Sequence, residues 1–402
     1  CLIPSFSNAL ADQRDVMTSV QGSPQNPAFQ ALDDFVEELV TRWAIPGASL
    51  AVVKGGALVH WRGFGYADRD RCLPVEPDTL FRVASISKPI TAVAVLRLVE
   101  AGKLSLETTL AEVLPEQVRS VPDTNISRIT IRQLLQHTAG WDDGDHDEVA
   151  LRNDIRRLAR LAGPDGTVAP MDIITRRLAR PLDYVPGSDH AYSNFGYVIL
   201  GRIIEKVCQK SYLDSIRELV FAPADQECVV MIGSPWLAQC APQESRYYDY
   251  PGAPTTEAAL NPGMTVAWPD GGVATTLLDS ALGCVSSAPC LARFVDAAFA
   301  ALEERPGLLS KALIQEMLAR PAGAPGAGED SYYGLGWRIK QVEGNTCAWH
   351  GGSLPGTTAL VVHGSNGSNI ALLMNSRPKD WQAFNQQLHA LIAIVPTIQL
   401  SE

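Results

Sequence analysis

Ser85 and Lys88 stand three residues apart in Phe81–Lys88, FRVASISK, at the head of an apolar run that continues through Val93, Leu96 and Leu98. On a helix, positions i and i+3 share a face, so this spacing brings an amine within reach of a hydroxyl. A serine is a poor nucleophile until a base takes its proton, and a lysine can do that only where desolvation or a neighbouring charge lowers its pKa. The start of the helix adds free backbone N–H groups for a developing oxyanion. Alone, the pair is common, and an N-capping serine beside a solvated lysine is the blander explanation. Pro89 disfavours α geometry at Lys88 and is tolerable only because the helix is beginning there.

Two further segments carry suitable groups. Tyr192-Ser193-Asn194 follows the turn Val185-Pro186-Gly187 and precedes an apolar helix. A phenol there can shuttle a proton, and an amide can orient a substrate carbonyl; the plainer alternative is an Asn or Ser cap with a packed tyrosine. Trp349-His350-Gly351-Gly352-Ser353-Leu354-Pro355-Gly356 closes an expected strand. Glycines at a strand end let a substrate approach the backbone and its N–H groups. No Gly-x-Ser-x-Gly elbow occurs in the chain, so His350-Gly351-Gly352 does not belong to an α/β-hydrolase oxyanion loop.

The elements that must hold these groups follow from periodicity. Phe29, Leu32, Phe35, Val36, Leu39, Val40 and Trp43 mark a helix that opens at Asn26-Pro27 and stops at Pro46-Gly47. Two strands, Ala48–Val53 and Ala57–Gly63, flank the turn Lys54-Gly55-Gly56. Near the other terminus, Leu335–Val342, Cys347–His350, Thr358–His363 and Asn369–Asn375 read as strands, and Trp381–Ile394 as a last helix. Between them, helical runs at Lys88–Glu100, Ile131–His137, Asp154–Leu161, Met171–Ala179, Tyr197–Cys208 and Ser310–Leu318 alternate with Gly/Pro loops, and Pro321–Gly328 is a low-complexity stretch that a mobile loop explains. The expectation is an α/β (α+β) fold. An antiparallel sheet built from both chain ends has helices on its faces and carries a large, mainly helical insertion. The expected divisions are an arm over 1–25, a sheet domain from 26–80 with 331–402, and a helical domain over 81–330 carrying Ser85 and Tyr192.

Composition fits a packed protein: 402 residues, 46% apolar and 19% charged. A disordered chain is excluded. The net charge of −11, with no Lys/Arg run, argues against nucleic acid as a partner. No stretch of 18 apolar residues exists to span a membrane as a helix.

The three segments occur in a fixed order, Ser-x-x-Lys, Tyr-x-Asn, then His-x-Gly on a late strand. In this the chain resembles the serine β-lactamase/penicillin-binding-protein superfamily. It looks most like the branch holding class C β-lactamases, D-alanyl-D-alanine carboxypeptidases, D-aminopeptidases and related esterases. Leu134–Gly140, Gly271-Gly272, Leu291-Ala292-Arg293-Phe294 and Tyr333-Gly334-Leu335-Gly336-Trp337 are similar to other segments of that family, and the likeness runs from about residue 28 to 395. The resemblance implies Ser85 as the acylated nucleophile and Lys88 as its base or relay. Tyr192 becomes the second proton-transfer group, and Asn194 a ligand of substrate and lysine. His350 and Gly352 belong to the third motif, and the backbone N–H groups of Ser85 and Ser353 form the oxyanion hole. No metal or cofactor is implied, and the partner is a small-molecule or peptide substrate. One departure stands out: where relatives carry Lys-Thr-Gly or His-Thr-Gly, this chain has His350-Gly351-Gly352. A histidine ionised only in part near neutrality replaces the lysine, and the hydroxyl is gone.

The expected activity is a serine hydrolase acting on amides or esters; an acyltransferase and a slow-turnover acylated sensor are the rivals. Cys1 at the start admits a lipid-anchored mature lipoprotein, Ala9-Leu10-Ala11 a signal-peptidase site, and a trimmed boundary explains both away. The first two imply export, where disulfides persist. Among the eight cysteines, Cys228–Cys240 and Cys284–Cys290 are the expected pairs. The acidic run Trp141–Glu148 reads as a solvated loop at the cleft mouth that favours cationic substrates, ahead of a divalent-metal site.

Overall fold

The structure is a computed structural model that describes residues 20–23, 26–142, 145–163, 166–225, 227–321, 331–342 and 344–398. Cys1, Ala9–Ala11, the side chains of Asp143–Glu148 and most of Pro321–Gly328 lie outside the described residues, and with them the readings placed there; the solvated loop expected over Trp141–Glu148 is corrected in its backbone, since Trp141 is buried against Phe195 and a helix begins at Asp145.

The strands, in chain order, are β1 (Val20–Gly22), β2 (Gly47–Lys54), β3 (Ala57–Asp68), β4 (Leu73–Pro74), β5 (Phe81–Arg82), β6 (Val230–Ile232), β7 (Thr255–Glu257), β8 (Thr265–Ala267), β9 (Cys284–Ser286), β10 (Ser331–Tyr333), β11 (Arg338–Val342), β12 (Asn345–Leu354), β13 (Thr357–His363) and β14 (Ser368–Met374). The main sheet runs β1-β3-β2-β14-β13-β12-β11-β10, with β4 against β3, and every pairing is antiparallel. The two chain ends meet where β14 pairs β2, with Ile370 opposite Val52. This is the mixed α/β fold with a large antiparallel sheet that the sequence pattern predicts.

Strand alternation divides the core in two. On one face Leu50, Val52, Leu360, Val362, Ile370 and Leu372 pack with helix α1 (Gln30–Arg42) and with α9 (Trp381–Leu388) and α10 (Leu391–Ile394). On the other, Ala51, Val53, Val361, Ala371 and Leu373 join the larger core beneath the helices. Those helices are α2 (Ser87–Glu100), α3 (Ile131–Leu135), α4 (Asp145–Ala162), α5 (Pro170–Leu178), α6 (Asn194–Cys208), α7 (Ala288–Phe299) and α8 (Lys311–Leu318). Helix α7 lies directly on β2 and β14, and Asn369 Nδ2 donates to Asp296 Oδ1 on it at 3.0 Å.

Both expected disulfides are corrected. Cys228 is bonded to Cys290, with Cα atoms 5.2 Å apart, while Cys240 and Cys284 are free thiols. Cys290 sits on the first turn of α7, which faces the 228 loop; Cys284 ends up buried beside Asp279 and Tyr212 at the start of β9. Asn366 Nδ2 donates to the carbonyls of Val395, Pro396 and Ile398 and so ties down the end of the fold.

Candidate active site

Ser85 is presented by a strained turn. Strand β5 is fixed from two sides: the Arg82 guanidinium donates to Pro269 O and Ser234 O at 2.7 and 2.8 Å, and Thr357 Oγ1 on β13 donates to Arg82 O at 2.8 Å. The chain then turns through Ala84 at φ +49°, a left-handed conformation costly for a residue with a Cβ. A hydrogen bond from Ser87 Oγ to Ala84 O, 2.8 Å, holds the turn. Ala84 and Ile86 are buried while Ser85 between them is half-buried, at the mouth of a cavity. Helix α2 starts at Ser87, so Pro89 falls in its first turn, where its missing N–H costs nothing.

Lys88 is wholly buried. Its Nζ lies 3.1 Å from Ser85 Oγ, 2.7 Å from Asn194 Oδ1 and 2.9 Å from Ala281 O. Three acceptors thus meet the three protons of an ammonium. Ala281 belongs to the turn Asp279–Gly283, which Arg202 anchors by an ion pair to Asp279 of 2.6 Å. The sequence pattern starts helix α6 at Tyr197; the structure starts it at Asn194. Ser193 Oγ caps it by accepting from Gly196 N–H, leaving the Asn194 side chain for Lys88.

Tyr192 stands over the lysine, with Nζ 4.6 Å from its ring centroid. Behind it His137 packs at 4.3 Å, and His137 Nδ1 accepts from Ser193 N–H at 3.0 Å. The imidazole proton therefore resides on Nε2, which has no hydrogen-bond partner among the described residues. Burial first, then the nearby charge of Lys88, holds His137 well below the ordinary histidine range. The Tyr-x-Asn segment is thereby backed by a neutral aromatic wall.

The third motif lies on β12. Strand β11 pairs no further than Arg338 opposite Trp349, so from His350 to Leu354 that edge of β12 has no β11 partner, and Ser85 and this segment line one cavity. The two glycines differ. A Cβ on Gly352 would stand 2.2 Å from Val83 O in the Ser85 turn, so no larger residue fits. A Cβ on Gly351 would approach nothing closer than 3.9 Å. His350 is buried, and both ring nitrogens are used. Nδ1 donates to Gly351 O at 2.7 Å, and Nε2 accepts from Tyr333 Oη at 2.9 Å. Partial ionisation near neutrality is therefore corrected. Burial, with Lys88 and Arg338 adding repulsion, holds His350 well below the ordinary range, and it is neutral.

Two cavities are lined by groups of this site. One of about 410 Å³ is lined by Asn194, Leu151, Ile155, Trp268 and Leu354. The other, about 590 Å³, is lined by Ser85, Tyr192, His350, Ser353, Arg338 and Trp381.

Residues 32–393 match the family model described as Beta-lactamase. The chain belongs to the beta-lactamase family. Protein flp of Staphylococcus aureus (strain MW2) is 31% identical over a segment covering 48% of this chain and 36% of that protein. Esterase EstB of Burkholderia gladioli is 34% identical, over 48% of each. The chain thus spans half or less of the length of these curated relatives. The structure of the D-amino acid amidase of Ochrobactrum anthropi SV3 with D-phenylalanine superposes with a TM-score of 0.70, 23% identity, and coverage of 92% and 99% of the two chains. That likeness speaks for the fold.

The structure brings Ser85, Lys88, Tyr192 and Asn194 together and sets His350, Gly352 and Ser353 on the facing strand. Three neighbours carried no assignment from sequence: His137, Tyr333 and the Ala281 carbonyl. The first two lie inside segments that carry the family likeness; a backbone carbonyl leaves no sequence signal.

Proposed function

We propose that this protein is a serine hydrolase that cleaves esters or amides through an acyl-enzyme on Ser85. The observation that carries this reading is the contact of buried Lys88 with Ser85 Oγ, Asn194 Oδ1 and Ala281 O beneath the Tyr192 ring. Ser85 Oγ attacks the carbonyl carbon, and its proton passes into the coupled Lys88–Tyr192 unit. Backbone N–H groups of Ser85 and Ser353 receive the oxyanion. The leaving group departs with the proton returned through Tyr192, and water repeats the sequence to release the acid. His350 acts indirectly, holding Tyr333 and the strand edge; because neither a cation nor a hydroxyl stands at positions 350 and 351, β12 offers no hold for a carboxylate beside the scissile bond, and the arginines on the other side, Arg152 and Arg377, line the Asn194 cavity. The names of the relatives, an amidase and an esterase, support this substrate class. The Cys228–Cys290 disulfide supports export.

Intact-mass measurement after incubation with a fluorophosphonate tests the assignment. One adduct is expected on the wild type and none on Ser85→Ala. Full labelling of Ser85→Ala overturns it.

A further inference from the structure

The larger cavity continues from Ser85 past His350 and Gly351 to Arg338, Trp349, Trp381 and His389. Arg338 is half-buried and, among the described residues, its side chain makes no ion pair or hydrogen bond. Its guanidinium rests instead on two rings, 5.7 Å from the centroid of Tyr333 and 5.6 Å from that of Trp349. Stacking of that kind holds the guanidinium in place and leaves its N–H edge free for a planar anion. The imidazoles nearby do not compete as cations. Burial first keeps His350, His190 and His389 below the ordinary range, and the charge of Arg338 adds to the effect in each. This wall therefore presents one fixed positive charge, flanked by tryptophans, to a cavity that begins at the nucleophile.

We propose that Arg338 is a specificity-determining residue that binds a carboxylate on the leaving group, far from the scissile bond. The side follows from the cavity linings. Tyr192, which returns the proton to the leaving group in the reading above, lines the Arg338 cavity, whereas Asn194 lines the other. The distance follows from register. Arg338 is opposite Trp349, four residues along β12 from Ser353, which is roughly 13 Å of strand. A side chain reaching back from there meets a group on the order of 10 Å from the reacting carbonyl. Gly351, bare of a side chain, keeps the passage open. The substrate class is an ester or amide whose leaving group is extended, aromatic or apolar in its middle, and carboxylate-tipped.

This inference rests on the Ser85 acyl-enzyme reading, so its test separates the two. The probes are the acetate ester of 3-(4-hydroxyphenyl)propanoate and the same ester with the carboxylate converted to a carboxamide. For the wild type, kcat/KM is expected to be about tenfold or more higher for the carboxylate, the scale of one charge-assisted hydrogen-bonded pair. In Arg338→Met the ratio falls to about one, whatever the absolute rates, and Arg338→Lys restores part of it. A structural role for Arg338 would lower both substrates together and leave the ratio standing. Free 3-(4-hydroxyphenyl)propanoate should also slow fluorophosphonate labelling of the wild type more than of Arg338→Met, a readout that needs no turnover. A wild-type ratio near one, or a ratio unchanged in Arg338→Met, overturns the proposal while Ser85 labelling stands. Labelling of Ser85→Ala overturns the underlying reading instead.

Discussion

Lys88 carries its amine where no water reaches it and spends it on three acceptors, one of them the hydroxyl that it must help deprotonate. Loss of any partner leaves a buried polar atom unmatched. Lys88→Met and Tyr192→Phe should each cut kcat by roughly a hundredfold or more, the scale of general acid–base catalysis. Activity retained in the folded fraction, with only the melting temperature lowered, would return both residues to structural roles. The two glycines of the third motif separate the same way. Gly352→Ala drives a Cβ into Val83 O and shifts β12 from the Ser85 turn; a displacement of that kind costs on the order of a hundredfold in kcat/KM. Gly351→Thr places its Cβ at ordinary van der Waals distance from Trp349 and Ala359 and restores a hydroxyl. It should raise chromogenic-cephalosporin hydrolysis relative to a short nitrophenyl ester. In the native chain that ratio should favour the ester; the reverse would show that a neutral His350 and a bare Gly351 do not limit carboxylate recognition.

Secondary structure was legible wherever side-chain alternation decided it, and less so where the backbone turned for local reasons. β2, β13 and β14 match the hydrophobic pattern to within a residue because both faces of the sheet bury apolar side chains. β11 begins at Arg338 rather than Leu335, since Gly336 turns at φ +85° to pass Ala92. The last helix is interrupted at His389-Ala390. The grouping of Ser85, Lys88, Tyr192 and Asn194 matches the motif order; the neutrality of His350 could not be read, because it depends on Tyr333 and on burial. Nor could the disulfide, whose partners lie 62 residues apart, one in a loop and the other on α7. Gly336→Ala combines a left-handed backbone with a Cβ 2.3 Å from that of Ala92, and should cost about 2 kcal/mol or more by urea unfolding. Replacing Cys228 and Cys290 together by Ala should cost about 4 kcal/mol, the loop-closure value for that separation. Free thiols at both positions in non-reducing peptide maps of the native protein would contradict the pairing.

At the scale of the whole molecule, five of the seven histidines sit in environments that disfavour their charged form: His137, His190, His350, His363 and His389. Burial is the first cause in each, and for His389 it brings the value from 6.5 to about 4. Three of them, His137, His190 and His350, surround the Tyr192–Tyr333 cluster, so the rings of that neighbourhood are neutral, and the charges acting on them are those of Lys88, Arg338 and, at His190, Asp189. In the unfolded chain these rings titrate near 6.5. Below that pH the unfolded state binds protons that the folded state refuses, so the stability they contribute is present above about 6.5 and is lost as pH falls toward the folded values. A fully buried ring contributes on the order of 1.4 kcal/mol per pH unit over that window. The urea midpoint should therefore drop markedly between pH 7.5 and pH 5, with unfolding at pH 5 accompanied by uptake of more than one proton. His363 offers the internal control. It stacks on Phe299 at 4.0 Å, and its Nδ1 bonds to Asn369 Oδ1 at 2.7 Å, away from Ser85. Replacing it by Gln should flatten the pH dependence of stability without shifting the pH profile of kcat, whereas a profile shift would tie the acid sensitivity of the fold to the chemistry at Ser85.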